Sequence, residues 1–275
     1  MIGLVGVEWR RLTARRLVRV CAIAAIALIF FVVVLCALNS QKIQSDGSFV
    51  MRTTSLWLTE AQAETSGNAQ DNVVIAVTLL SFLIVAVIGA SAIGAEYRAG
   101  TVTTVLGWEP RRVRLLAARL IAVALVAASF FLITHVVFCA AWTIGSAISG
   151  NPDGAGGVFW RDLGLVLARG AVLAALFAVI SGAIATLGRN TAAVLGVWVG
   201  YWILAETIMY EVKPQWVRWA LFINVASAFS WDRMIFESQS TMAEVTPGAS
   251  MVRLTAYLAV FVAVSLAVFH RRDVT

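Results

Sequence analysis

Two ionisable side chains, His135 and Glu206, lie inside apolar runs of this 275-residue sequence. A charge near the centre of a bilayer costs at least roughly 2.5 to 3.5 kcal/mol on insertion scales, so such residues are candidate sites for moving protons or ions. Neither has a partner spaced as in a proton relay. The plain alternative is that His135 hydrogen-bonds a neighbouring helix, while Glu206, with Glu211 just beyond it, reaches a membrane interface. Metal and hydrolytic chemistry lack their parts. Two histidines, His135 and His270, cannot supply clustered ligands, and Cys21, Cys36 and Cys139 sit in apolar runs without metal-ligand spacing, as small hydrophobes do. The phosphate-loop-like stretch from Gly182 to Thr191 lacks the Gly-Lys-Thr/Ser ending and leaves an apolar run rather than a strand. No catalytic, cofactor or metal site is expected on this chain.

The elements that must position these residues follow from composition. Sixty per cent apolar and 13% charged residues, with a mean hydropathy of +0.87, leave too little polar cover for a soluble domain of this length. The expected fold is an all-α membrane protein, a single transmembrane domain over 1–275. Its six transmembrane helices fall at about 18–38, 73–93, 120–148, 163–187, 191–210 and 251–269. The first run is longer than a signal-peptide core and is expected to be retained. Ahead of it, Leu4, Val7, Leu12 and Leu17 alternate with Arg10, Arg11, Arg15 and Arg16 around Trp9, which suits either an interfacial amphipathic helix or a plain basic anchor. Residues 39–72 form a polar external loop, and Asn151-Pro152-Asp153-Gly154 is a turn. Pro214 to Ser230 is apolar but short, interrupted by Arg218 and framed by Trp216, Trp219 and Trp231. It is expected to be re-entrant or interfacial.

Six spans place both termini on the cytoplasmic side. Thirteen of the 21 basic and four of the 15 acidic residues then lie inside, leaving eight basic and eleven acidic outside. That asymmetry has the sign of the positive-inside trend, and Trp57, Trp142, Trp160, Trp202, Trp216, Trp219 and Trp231 fall at the outer boundary as an aromatic belt. The net charge of +6 is therefore a topology signal, not a nucleic-acid footprint. Gly196 and Gly200 form a G-x-x-x-G pair in the fifth span, a candidate dimer seam, because small residues let helix backbones approach closely in lipid.

Between the second and third spans lies a charged insert with a pattern of its own. Glu96 and Arg98 close one apolar run, Gly100 breaks it, and Thr101 to Leu106 puts Val102, Val105 and Leu106 on one helical face. Pro110 suits the first turn of a new helix, and Arg111, Arg112, Arg114 and Arg119 follow before apolar sequence resumes. On its own this is a basic cytoplasmic loop.

An acidic residue after the second span, then Gly-Thr, a short helix, a Pro-Arg pair and a basic re-entry resembles the membrane subunit of type 2 ABC transporters. The matching residues are Glu96, Arg98, Gly100, Thr101, Leu106, Pro110 and Arg111. The family usually shows Pro-x-Arg or Pro-x-Ser-Arg after a leucine-rich helix, whereas this chain has Trp108-Glu109 and then Pro110-Arg111-Arg112. The resemblance implies that the insert is a coupling helix and that the chain is the permease of an ABC exporter in the plasma membrane. It further implies two separate cytoplasmic ATPase subunits, which would bind ATP and Mg, and a second permease copy or related chain meeting this one through the first and fifth spans. No soluble stretch of this chain is long enough to fold an ATPase. The competing readings are an ATP-independent carrier or channel using His135 and Glu206, and a membrane anchor for a cytosolic partner.

Overall fold

The computed structural model describes residues 1–40, 52, 56, 73–101, 107, 111–150, 155–206, 208–209, 214–238 and 241–271. A short helix α1 (Ile2–Thr13) leads to α2 (Arg16–Asn39), α3 (Val73–Arg98), α4 (Arg112–Ser149) and α5 (Gly157–Gly188). Helix α6 (Thr191–Gly200) continues as a π-helical stretch, Tyr201–Glu206, and a 3-10 turn, Pro214–Trp219, precedes α7 (Leu221–Ser230). Strands β1 (Met234–Ser238) and β2 (Thr241–Val245) then lead to α8 (Pro247–Arg271).

Helices α2, α3, α4, α5 and α8 are long and apolar enough to cross a membrane, so the chain is a multi-pass, mostly helical membrane protein. The 38 residues of α4 reach about 57 Å at 1.5 Å per residue, against a hydrocarbon core of about 30 Å. It starts eight residues before the expected third span, so Arg112 and Arg114 ride on helical turns outside the apolar part. The expected fifth span is the shortest, with ten α-helical residues followed by six π-helical ones. Residues 214–230 resolve into the 3-10 turn and the ten-residue α7, about 15 Å long and too short to cross. The β-hairpin was not expected. It pairs Met234 with Val245 and Ser238 with Thr241, in a stretch where Ile235, Phe236 and Val245 favour the pleated conformation.

Contacts sort the chain into two compact units, each discontinuous in sequence. The unit formed by Ala14–Ile84 and Ser129–Ala171 is built on aromatic packing, with Phe82 and Phe131 rings 5.9 Å apart and Phe138 and Trp142 rings 5.8 Å apart. Trp142 is fully buried and donates from Nε1 to the Arg52 carbonyl at 2.8 Å. It is therefore a core residue rather than the belt residue expected from its position, whereas Trp160, Trp216, Trp219 and Trp231 are exposed. Trp57 lies outside the described residues.

The other unit comprises Met1–Thr13, Val85–Ala128 and Val172–Thr275. Its centre is a close crossing of α3 and α5. A Cβ on Gly89 would overlap the Ala178 carbonyl oxygen, and one on Gly182 would stand 3.2 Å from both Ile93 Cδ1 and Leu120 Cδ2. Small residues are what permit such an approach where lipid supplies no hydrophobic drive between helices. Further along, Phe222 of α7 inserts among Phe177, Trp198 and Tyr201, with ring centroids 5.6, 5.9 and 6.2 Å away. By contrast, only 17% of the most apolar stretch of α2, and of α8, is buried within the chain, so these helices turn large apolar faces outward.

Candidate functional site

The most unusual chemistry lies at one end of α3 and α4, the ends joined by residues 99–111. On α1, Leu4, Glu8 and Leu12 fall at i, i+4 and i+8, so a carboxylate sits in the middle of the buried stripe. On α4, Arg119 shares a face with Leu115 and Ala122, all three buried. Glu96 occupies the last full turn of α3 and is also buried.

These side chains meet. Arg119 Nη2 stands 2.6 Å from Glu96 Oε2, and Arg119 Nε donates to Glu8 Oε1 at 3.4 Å. Arg11 reaches the same carboxylates, with Nη2 3.2 Å from Glu96 Oε1 and Nη1 3.6 Å from Glu8 Oε1. At 2.6 Å the Arg119–Glu96 contact is a close charge pair. Two carboxylates and two guanidiniums thus alternate in a closed ring with no net charge. Glu8, Glu96 and Arg119 side chains are 5–6% exposed and Arg11 is 37% exposed, so the ring is sealed on one side and wet on the other. Desolvating an ion costs several kcal/mol, which only close pairing offsets. The planar fork of arginine lets each guanidinium touch two carboxylates at once.

Just beyond Glu96 the helix ends in a fixed way. Gly100 has φ +67°, its N–H donates to the Tyr97 carbonyl at 3.3 Å, and the Thr101 N–H donates to the Glu96 carbonyl at 3.2 Å. This is a Schellman motif, in which the left-handed residue after the helix is best glycine. The same helix end is pinned sideways: a Cβ on Gly94 would lie 2.5 Å from Thr191 Oγ1 and 2.8 Å from its nitrogen, at the start of α6. Arg189, in the left-handed conformation between α5 and α6, places its guanidinium 5.9 Å from the Tyr97 ring centroid. Arg98, Gly100, Thr101 and Arg111 are exposed, and the Arg111 carbonyl accepts the first helical bond of α4, from Leu115. Val102, Val105, Leu106 and Pro110 lie outside the described residues.

Of the residues expected to do chemistry, only Glu96 joins this ring. Glu8, Arg11 and Arg119 are invisible to a count of basic loop residues, which treats them as membrane flanks. The signal that could have found them is face assignment, since Glu8 and Arg119 each fall on the apolar face of their own helix.

Both intramembrane ionisable residues have hydrogen-bond partners within the chain. His135 is fully buried and stacked on Phe131 with ring centroids 3.7 Å apart. Its Nδ1 lies 2.9 Å from the Phe131 carbonyl and its Nε2 3.0 Å from Thr78 Oγ1. A carbonyl only accepts, so the neutral tautomer protonated on Nδ1, with the Thr78 hydroxyl donating to Nε2, satisfies every partner. Glu206 caps a helix across a sequence gap. The N-cap residue Ala220 has no side chain to cap α7, and Glu206 Oε1 instead accepts the Phe222 N–H at 2.6 Å. The Tyr201 hydroxyl accepts the Leu221 N–H at 2.8 Å. Replacing Glu206 with alanine is expected to destabilise the protein by about 1 kcal/mol, with glutamine, which keeps an acceptor, losing less. Thermal unfolding in detergent reads the difference. Gly196 is exposed, and among the described residues a new Cβ on it or on Gly200 would meet no atom within 4 Å.

Residues 5–274 match the family described as ABC-2 family transporter protein, and the chain belongs to that family. No curated protein matches the sequence. Membership makes the chain a membrane-embedded permease of an ABC transporter, itself non-catalytic and associated with ABC ATPase partners, as the resemblance of the 96–111 insert implied.

Proposed function

We propose that this permease is the path-forming subunit of an ATP-driven exporter in the plasma membrane and that residues 96–111 receive work from the ATPases. In this reading α6 with its π-helical extension completes six spans, both termini are cytoplasmic, and the charged ring lies at the cytoplasmic face. Two permease chains, identical or related, pair with two ATPase subunits, which bind the ATP and Mg. The unpacked Gly196–Gly200 face and the large outward apolar surface of α2 support assembly through the first and fifth spans.

The observation that carries the reading is the ring of Glu8, Arg11, Glu96 and Arg119. It joins both roots of the insert to α1, so a push on residues 96–111 moves α1, α3 and α4 together rather than bending a loose loop. ATPase closure would then rock these helix ends and open the path outward. The glycine at φ +67° fixes the direction in which the insert leaves α3.

Two substitutions test this. Glu96→Lys places a third positive charge in the ring, and Gly100→Pro demands a negative φ while deleting the N–H that Tyr97 accepts. In proteoliposomes containing the ATPase, Gly100→Pro is expected to keep ATP hydrolysis while transport per ATP falls at least tenfold; Glu96→Lys is expected to lower transport per ATP likewise and also to lower stability, since three cations then face Glu8 alone. Unchanged transport in both would remove the docking role.

A further inference from the structure

We infer that a cavity between α5, α6, α7 and α8 holds one acyl chain of an anionic phospholipid of the surrounding bilayer, with the headgroup held by Arg253. The cavity measures about 230 Å³ and is walled by Trp198, Tyr201, Trp219, Leu221, Tyr257 and Phe261 among other apolar residues. It is half again the size of an engineered apolar cavity of about 150 Å³ that stays dry and binds benzene.

The polar tips of three of its aromatic walls are already engaged. Trp198 Nε1 donates to Ser181 Oγ at 2.8 Å, the Tyr201 hydroxyl takes the Leu221 N–H, and the Tyr257 hydroxyl donates to the Trp219 carbonyl at 2.8 Å. These groups present hydrocarbon and ring faces to the cavity and offer water few partners. An occupant is therefore apolar, and the volume suits part of one chain rather than two.

Charge selects the rest of the ligand. Arg253, Tyr257 and Phe261 recur at i, i+4 and i+8 on α8, so a cation stands one turn beyond the aromatic wall, toward the Pro247 end. Its guanidinium is held at a defined place, 5.5 Å from the Trp219 ring centroid and with Nη1 donating to buried Asn224 Oδ1 at 3.1 Å. Asn224 is fixed in turn by the carbonyls of Arg218 and Ala220, at 2.8 and 2.6 Å. Arginine carries five N–H donors in a fork suited to phosphate, and Asn224 takes one. Among the described residues no carboxylate forms an ion pair with Arg253, Glu206 being spent on capping α7. Exposed Trp216 and Trp219 flank this end, as at a membrane–water interface.

The test uses the full-length chain in nanodiscs with phosphatidylglycerol or phosphatidylcholine bearing a diazirine on one acyl chain, followed by peptide mapping. Phosphatidylglycerol is expected to label peptides covering 198–221 and 257–261 about fivefold more than phosphatidylcholine. Arg253→Gln should abolish that preference, Arg253→Lys should keep most of it, and Phe261→Trp, which fills the cavity, should lower labelling by both lipids. The Arg253 pair keeps the test decisive if the Phe261 variant does not fold. Equal labelling by the two lipids in the unmodified chain, or labelling indifferent to all three substitutions, overturns the inference. So does labelling displaced by free palmitate but not by unlabelled phosphatidylglycerol, since the occupant is then a free amphiphile. No ATPase is needed, so a negative result leaves the coupling reading standing.

Discussion

Arg119→Met is expected to destabilise the folded chain by about 3–5 kcal/mol, the scale for removing one partner from a buried ion pair. The reason is what it leaves behind. Glu96 and Glu8, both nearly fully buried, would share the single guanidinium of Arg11, 3.2 Å from one and 3.6 Å from the other. Two buried carboxylates would then face one half-exposed guanidinium where two had balanced them. Adding Glu96→Met is expected to recover at least half of the loss, because the residual Glu8–Arg11 pair is neutral and the methionines pack against Leu115 and Ile93 instead of demanding solvation. Thermal unfolding followed by size-exclusion chromatography in detergent measures both. The two readouts separate stability from coupling: the double variant should fold and reach the membrane, yet lose transport per ATP, since the charge ring then no longer joins the ends of α3 and α4 to α1. A single variant as stable as the parent, or a double variant no better than the single, would contradict the account of the ring as a mutually compensated charge set.

Gly89→Val is expected to prevent stable folding outright. The first added carbon would overlap the Ala178 carbonyl oxygen and lie 2.8 and 2.9 Å from the Ala178 carbonyl carbon and Cα. All three are backbone atoms of α5, which cannot swing aside as a side-chain tip can. Overpacking a core costs about 1–3 kcal/mol where side chains yield, and more where they do not. Separating α3 from α5 would also loosen Gly182 from Ile93 and Leu120. The contrast is Gly196→Val, whose Cβ would meet no described atom within 4 Å, so its melting should change little while any association through that face weakens. Monodisperse yield in detergent distinguishes the two glycines, and equal yields would remove the claim that the α3–α5 crossing depends on a bare backbone.

These expectations show which features the linear sequence carries. The membrane class follows from apolar content, and the charged insert between the second and third long helices is marked by Glu96, Gly100 and the arginines that follow. Gly100 could be read as a helix stop because its conformational role is local, and the structure places the Schellman motif there. The separation of α5 from α6 at 189–190 was likewise legible, since Asn190 caps α6 by accepting the Ala192 N–H two residues on.

What was hidden depends on partners far away in the chain. Periodicity tells which face of its own helix a residue occupies, but not what stands opposite. Arg119 looked like one more basic flank, and only the fold brings it to Glu8, 111 residues away. Glu206 looked like a lone acid in a span until α7 turned its uncapped N–H groups toward it. His135 could be expected to hydrogen-bond a neighbouring helix, but only the fold shows that Thr78 of α3 is the partner. Composition and local pattern determined that this chain enters a membrane and where its polar junction falls. Tertiary structure decided which charges are buried, because desolvation makes a buried charge tolerable only beside a partner that another helix must deliver.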